Sequence, residues 1–242
     1  MKVLSAHQPT YLPYLGLFHK IALADEFIHF DQVQYCSRDW INRNRIKING
    51  GGFLWLTVPV LKSGHREKTI AEMEINNSMR WRDKHWKSIY LAYKKSKYFK
   101  EYADFFRETY LIDWRYITDL NKHIFNWFIQ VLEIKTKIRE ASEFNFQGAK
   151  SDLVLDMCKK RKADLYIFGL EGRNYADIAS FERAEIKPYF QKYEHPTYSQ
   201  LHGEFIPYMS GIDLIFNEGP NAKYIFMQGN ETRESMCGGI RC

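Results

Sequence analysis

No stretch of the 242-residue chain approaches the roughly 20 consecutive apolar residues needed to span a bilayer, so no membrane insertion is expected. The opening Met1–Ser5 runs into a polar motif and not into the apolar core of a signal peptide, which points to a cytoplasmic protein. Cysteine is scarce. Cys36, Cys158, Cys237 and Cys242 form no CxxC pair, which argues against a disulfide framework or a cysteine zinc site and predicts free thiols. The eight histidines are scattered without HExxH or comparable short spacing, and His195 and His202 are separated by Pro196, so no metal is expected. Internal repeats and low-complexity tracts are also missing.

What is present is apolar and aromatic. At 45% apolar residues the chain can bury one substantial core, and its 16% aromatic content exceeds what a minimal core needs. The surplus Tyr and Trp either line a groove or fill helix interfaces. A net charge of +6 favours an anionic partner by long-range attraction. The basic residues cluster at Arg38–Lys47, Arg80–Lys100 and Lys159–Lys162; the face of a solvated helix accounts for the last two.

The patterning predicts an α/β fold: a small, mostly parallel sheet with flanking helices and an inserted helical segment. Lys2–Ser5 reads as a buried strand, Tyr14–Ala24 as a helix and Phe27–Asp31 as a second strand, a βαβ unit whose loops open on one sheet edge. That carboxyl edge is where open α/β sheets bind ligands. A second unit runs from the helix Ser151–Arg161, with Ser151 as its expected N-cap, through the strand Leu165–Phe168 to the loop Gly169–Tyr175. Phe53–Val60 and Ile70–Ile75 read as further strands, joined by a polar Lys62–Lys68 connection. Helical spacing of aromatic and apolar residues predicts an insertion of three or four helices over about 79–140. Residues 1–226 are expected to form one domain, and 227–242 a mobile tail.

Three loops hold the candidate chemistry. The first, Ala6–Gly16, places His7, Gln8, Tyr11 and Tyr14 directly after a buried strand. His7 can exchange a proton near neutral pH, and the helix start beyond it suits an anion. The second carries Asp31 at a strand end, where partial desolvation suits a base, and then Gln34. Farther on, Arg43, Arg45 and Lys47 alternate with Asn44 and Ile46, so an extended chain puts the three cations on one side as a phosphate or carboxylate clamp. An exposed polar strand has the same composition. The third loop offers Glu171, Arg173 and Tyr175.

The motif His7-Gln8-Pro9 with Tyr11–Gly16, the run Asp31–Tyr35 and Asn42–Lys47 resemble the WbqC-like family. The resemblance continues through Trp55–Val60, His195–Gln200 and Ser210–Pro220, covering nearly the whole chain to about Tyr224. It implies an accessory enzyme of O-antigen, lipopolysaccharide or other surface-polysaccharide biosynthesis, with a suggested role in attaching an amino acid such as glycine to a sugar. A fainter likeness links the first βαβ unit to the nucleotidyltransferase superfamily, which includes ATP-dependent amide ligases. Tyr14 and Leu17 stand where that group carries the histidines of a His-x-Gly-His signature, so the cofactor is open, with ATP one candidate.

The favoured function is amide-forming acyl or aminoacyl transfer to a nucleotide-linked amino sugar. On that reading His7 or Asp31 is the base, Arg43, Arg45 and Lys47 hold the diphosphate, Asn44 and Gln34 orient the sugar or carbonyl, and Glu171, Arg173 and Tyr175 close the site. Asp213 and Asn217 are further candidate contacts in a motif expected mainly to pack. The alternative is a non-catalytic protein that binds a nucleotide-sugar or a partner enzyme. Nucleic acid ranks third, carried by basic residues interleaved with Trp40, Trp55 and Trp81, and a tRNA-linked donor stays open.

Overall fold

The computed structural model describes residues 1–37, 39–64 and 67–237. The chain opens with β1 (Val3–His7), α1 (Leu15–Ala22) and β2 (Glu26–His29), the expected βαβ unit. A hairpin of β3 (Arg43–Lys47) and β4 (Phe53–Thr57) follows, then α2 (Trp81–Tyr93), α3 (Phe99–Thr109) and α4 (Ile117–Val131). The chain returns through β5 (Lys137–Glu140), α5 (Ser151–Arg161), β6 (Leu165–Phe168), α6 (Ile178–Arg183) and β7 (Lys187–Phe190). It ends in α7 (Gly211–Glu218), α8 (Ala222–Met227) and α9 (Arg233–Met236).

The main sheet has five parallel strands in the order β5-β2-β1-β6-β7, and β3 and β4 form a separate antiparallel pair. Alternation along each strand builds a core on both faces. Leu4, Ala6, Ile28, Tyr166 and Phe168 pack with Val154, Met157 and Phe181 of α5 and α6. Phe27 points the other way, stacking at 5.9 Å on Phe125 of α4, in a large cluster that also takes in α1, α7 and the hairpin. The strand order reverses beside β1: the chain first moves from β1 to β2, and later sets β6 on the other side of β1. Loops leaving adjacent strands in opposite directions leave a crevice at the carboxyl edge.

Several local expectations are corrected. Ile70–Glu72 is a 3-10 turn and not a strand, because Thr69 and Glu72 form a capping box that closes the backbone there. Lys150 takes the N-cap position of α5 with φ of +51°, while the Ser151 hydroxyl accepts the Asp177 N–H at 2.8 Å. The expected mobile tail is packed as far as Cys237: Arg233 pairs with Asp25 near the start of β2, and Met236 and Cys237 are buried against Val3, Leu165 and Ile167. Residues 238–242 of that tail lie outside the described residues, as does Arg38 of the first basic cluster. Cys36 and Cys158 are free thiols, but Cys237 is in a disulfide, against the expectation of free thiols. Among the described residues, no helix is long and apolar enough to cross a membrane.

Candidate functional site

A cavity of about 960 Å³ opens at the carboxyl edge between β1 and β6, at the strand-order reversal. His7 ends β1, Phe168 ends β6 and Gln191 follows β7, so three successive parallel strands deliver their ends to it. Gly172 lets the 170–174 turn close over Phe168; a Cβ there would fall 2.6 Å from the Phe168 Cβ, so only glycine fits that wall.

His7 is half-buried. Its Nδ1–H donates to the Gln8 carbonyl at 2.8 Å, which leaves Nε2 with its lone pair, 3.5 Å from the Tyr14 hydroxyl. Desolvation, reinforced by nearby Lys20, pushes the imidazole down to about 3, so it stays neutral. Tyr14 moves up to about 12 through burial and the charge of Asp39, and keeps its proton.

Lys20 is the residue that sequence reasoning missed. It sits on α1 one turn beyond Gly16, is buried, lines the cavity, and its Nζ donates to the Ala6 carbonyl at 2.9 Å. Desolvation without a compensating carboxylate pushes it down to about 7. The signal was available: Lys20 stands four residues after Gly16 in Leu15–Ala22, a helix whose one other polar side chain is His19, and it shares a helix face with the loop that follows β1. Tyr193 adds a buried hydroxyl with no hydrogen-bond partner among the described residues, so a polar ligand in the cavity meets an unsatisfied group. Gln191 fixes this wall, its Nε2 donating to the Gly16 carbonyl at 2.9 Å and to His19 Nδ1 at 2.8 Å.

Of the candidates, His7, Gln8, Tyr14, Glu171 and Tyr175 line the cavity. Arg173 stays outside, its guanidinium 4.6 Å over the Phe190 ring. Tyr11 is in the core, hydrogen-bonded to His85 and Tyr110. Asn44 is fully buried and donates to the carbonyl of Leu12, a residue at φ of +47°, at 2.6 Å; it pins the first loop to β3. Lys47 shares the expected face with Arg43 and Arg45, but the 203–206 loop covers it and its ammonium donates to the Gly203 and Glu204 carbonyls. It is therefore not free to clamp an anion. Asp213 is buried and accepts from the Tyr93 and Tyr198 hydroxyls and Gln200, while Asn217 donates to the Asp213 carbonyl; both pack. Gln34 lies in an isolated bridge to Thr69, away from the cavity.

Asp31 is also tied up. Its carboxylate accepts from the Ser142 N–H at 3.2 Å and the Ser142 hydroxyl at 2.9 Å, and Lys122, 3.7 Å away, bridges it to Glu140. This cluster joins α4, β2 and the end of β5. Asp31→Ala is expected to destabilise the fold by about 1–3 kcal/mol, as a buried donor set loses its acceptor. Ligand binding by the folded fraction should be unchanged. Wild-type melting with abolished ligand binding would return Asp31 to the site.

The family model of the WbqC-like protein family matches residues 8–225. The chain belongs to this family. The uncharacterized protein Rv1507c of Mycobacterium tuberculosis is 34% identical over 224 residues, 92% of this chain and 96% of that one. No solved structure matches. The family match takes in every element that lines the cavity of this WbqC-like protein except the β1 end at Ala6 and His7. The fainter nucleotidyltransferase likeness does not extend to a phosphate cradle: Leu17 is buried in the core, and a Cβ at Gly16 would lie 2.9 Å from the Tyr193 ring. The α1 start thus offers no histidine pair to ATP.

Proposed function

We propose that the cavity is the transfer site of an amide-forming enzyme of O-antigen or surface-polysaccharide biosynthesis, which moves an acyl or aminoacyl group onto the amino group of a nucleotide-linked sugar. One observation carries the reading: a lysine held near neutrality and a neutral histidine, whose Nε2 faces the Tyr14 hydroxyl at 3.5 Å, share a switch-point cavity. Amide formation needs the attacking amine unprotonated and its surplus proton removed as the C–N bond forms. A base whose conjugate acid sits at about 7 matches that task, and Lys20 has it. His7, at about 3, binds protons too weakly to keep one; it serves as the acceptor that aims the amine N–H. The nitrogen attacks the acyl carbon, the bond to the donor's leaving group breaks, and Lys20 takes the nitrogen's proton. Tyr14 and Tyr193 hydroxyls supply donors for the carbonyl oxygen that gains charge.

The test incubates the purified chain with nucleotide-linked amino sugars and radiolabelled glycine, supplied as glycyl-tRNA, as a glycyl thioester, or free with ATP. The expected result is label in the sugar, stable to mild base as an amide is and an ester is not. Tight sugar binding without transfer from any donor would leave a binding protein in place of the enzyme.

A further inference from the structure

The outer face of the β3–β4 hairpin carries a run of rings and guanidiniums that the cavity chemistry does not use. Tyr14, at the cavity wall, lies 6.3 Å from Trp40; Trp40 lies 5.5 Å from Trp55; and Trp55 meets Phe53 edge-on at 6.4 Å. Cross-strand pairing of Arg45 with Trp55 and of Lys47 with Phe53 puts these side chains on one face. Arg43 lies 4.5 Å over the Trp55 ring, and Arg45 lies 4.9 Å over Phe53 and 5.6 Å over Trp55. A guanidinium carries five N–H donors in a planar fork, so one that is stacked on a ring and already bonded can still meet a phosphate oxygen. Arg45 is further fixed by donating to the carbonyl of Tyr208, a residue that also lines the cavity, while its Nε is buried with no partner among the described residues.

We infer that this rail holds the nucleoside diphosphate half of the substrate outside the cavity, with the base on Trp55 and Phe53, the diphosphate on Arg43 and Arg45, and the sugar entering past Tyr14 and Tyr208. The nucleotide-linked substrate and its direction of entry rest on the proposed function; nucleoside diphosphate binding by the rail does not need the acyl-transfer step. Phe53 and Trp55 are 44% and 38% exposed, large flat surfaces left to water beside two cations. The occupant is a single nucleotide and not a strand of bases. The ring planes are tilted by 37° to 85° and cannot carry successive parallel bases, two guanidiniums suffice for one diphosphate, and Trp81, which a longer track would require, is buried.

The experiment titrates UDP, dTDP, GDP, inorganic pyrophosphate and a single-stranded oligonucleotide into the full chain, following calorimetry and tryptophan emission. At least one nucleoside diphosphate should bind with a change in emission and about tenfold more tightly than pyrophosphate, the scale of one base–aromatic stack. Trp55→Ala, Phe53→Ala and Arg45→Ala should each weaken it about tenfold with the melting temperature unchanged. Lys20→Met should leave the affinity intact, so a failed transfer reaction and a failed rail are separately visible. Unchanged affinity in the folded Trp55→Ala and Phe53→Ala proteins, or an oligonucleotide that outcompetes every nucleotide, overturns the inference.

Discussion

Lys20→Met is expected to lower amide transfer by about 10²- to 10⁴-fold, the usual contribution of a positioned base. The rise of the wild-type rate through about pH 7 should disappear with it, because Lys20 must lose its proton before it can accept one. The same substitution has a stability signature that separates it from general damage. The folded lysine sits at about 7 against its ordinary value of 10.5, so between these limits the unfolded chain holds the extra proton. Wild-type stability therefore rises as pH climbs from about 7 towards 10.5, and the ammonium costs the folded state most below pH 7, about 5 kcal/mol by the linkage relation. Methionine fills a similar volume without charge, so the variant should lose this slope. Part of the gain is offset by about 1–3 kcal/mol, since the Ala6 carbonyl loses its donor. Urea unfolding from pH 6 to 10 reads the slope. A Lys20→Met protein with the wild-type slope, or with undiminished transfer, removes Lys20 from the proposed role. His7, at about 3 against 6.5, adds a similar rise in stability at lower pH, between about 3 and 6.5; in the variant this rise should shrink but remain, because burial is the larger cause and only the Lys20 charge is removed.

Asp213→Ala is expected to destabilise the fold by about 3–5 kcal/mol, a large share of the stability of a typical domain. The carboxylate is fully buried and is the common acceptor for Tyr93 of α2, and for Tyr198 and Gln200 of the segment before α7, at 2.8 to 2.9 Å. Tyr93 in turn accepts the Lys47 backbone N–H at 3.2 Å, so one side chain ties α2, α7, β3 and the 198–206 loop together. Alanine would leave two buried hydroxyl donors, the Gln200 amide and the nearby Lys47 ammonium without their anion. Burial raises the Asp213 carboxyl above its ordinary value despite these donors. Its ionised form is therefore held at a cost that alanine removes, so the net loss comes from the buried donors and the Lys47 ammonium left without that carboxylate. The shift in the urea midpoint at constant slope measures it, and Asp213→Asn, of equal size, should fall between the wild type and alanine. A normal midpoint with weakened ligand binding would instead make Asp213 a substrate contact.

Local sequence determined much of this protein. The 2.0 and 3.6 periodicities marked β1, α1, β6 and α5, because burial on one face is written into neighbouring residues. The right-handed βαβ rule then gave the carboxyl edge as the place for chemistry, and His7, Gln8, Tyr14, Glu171 and Tyr175 do meet there. Asp31, Asn44, Lys47 and Asp213 could not be told from site residues in the sequence, because a polar residue beside a strand has the same one-dimensional context whether its partner is substrate or protein. Their partners, Ser142, the Leu12 carbonyl, the 203–204 carbonyls and Tyr93, lie from about thirty to more than a hundred and fifty residues away, and only tertiary packing brings them into contact. Lys20 went unnoticed for the converse reason: a lysine in a helix is ordinarily solvated, and it becomes a near-neutral amine only when the sheet edge, β7 and the Gly169–Tyr175 loop close around it and remove the water.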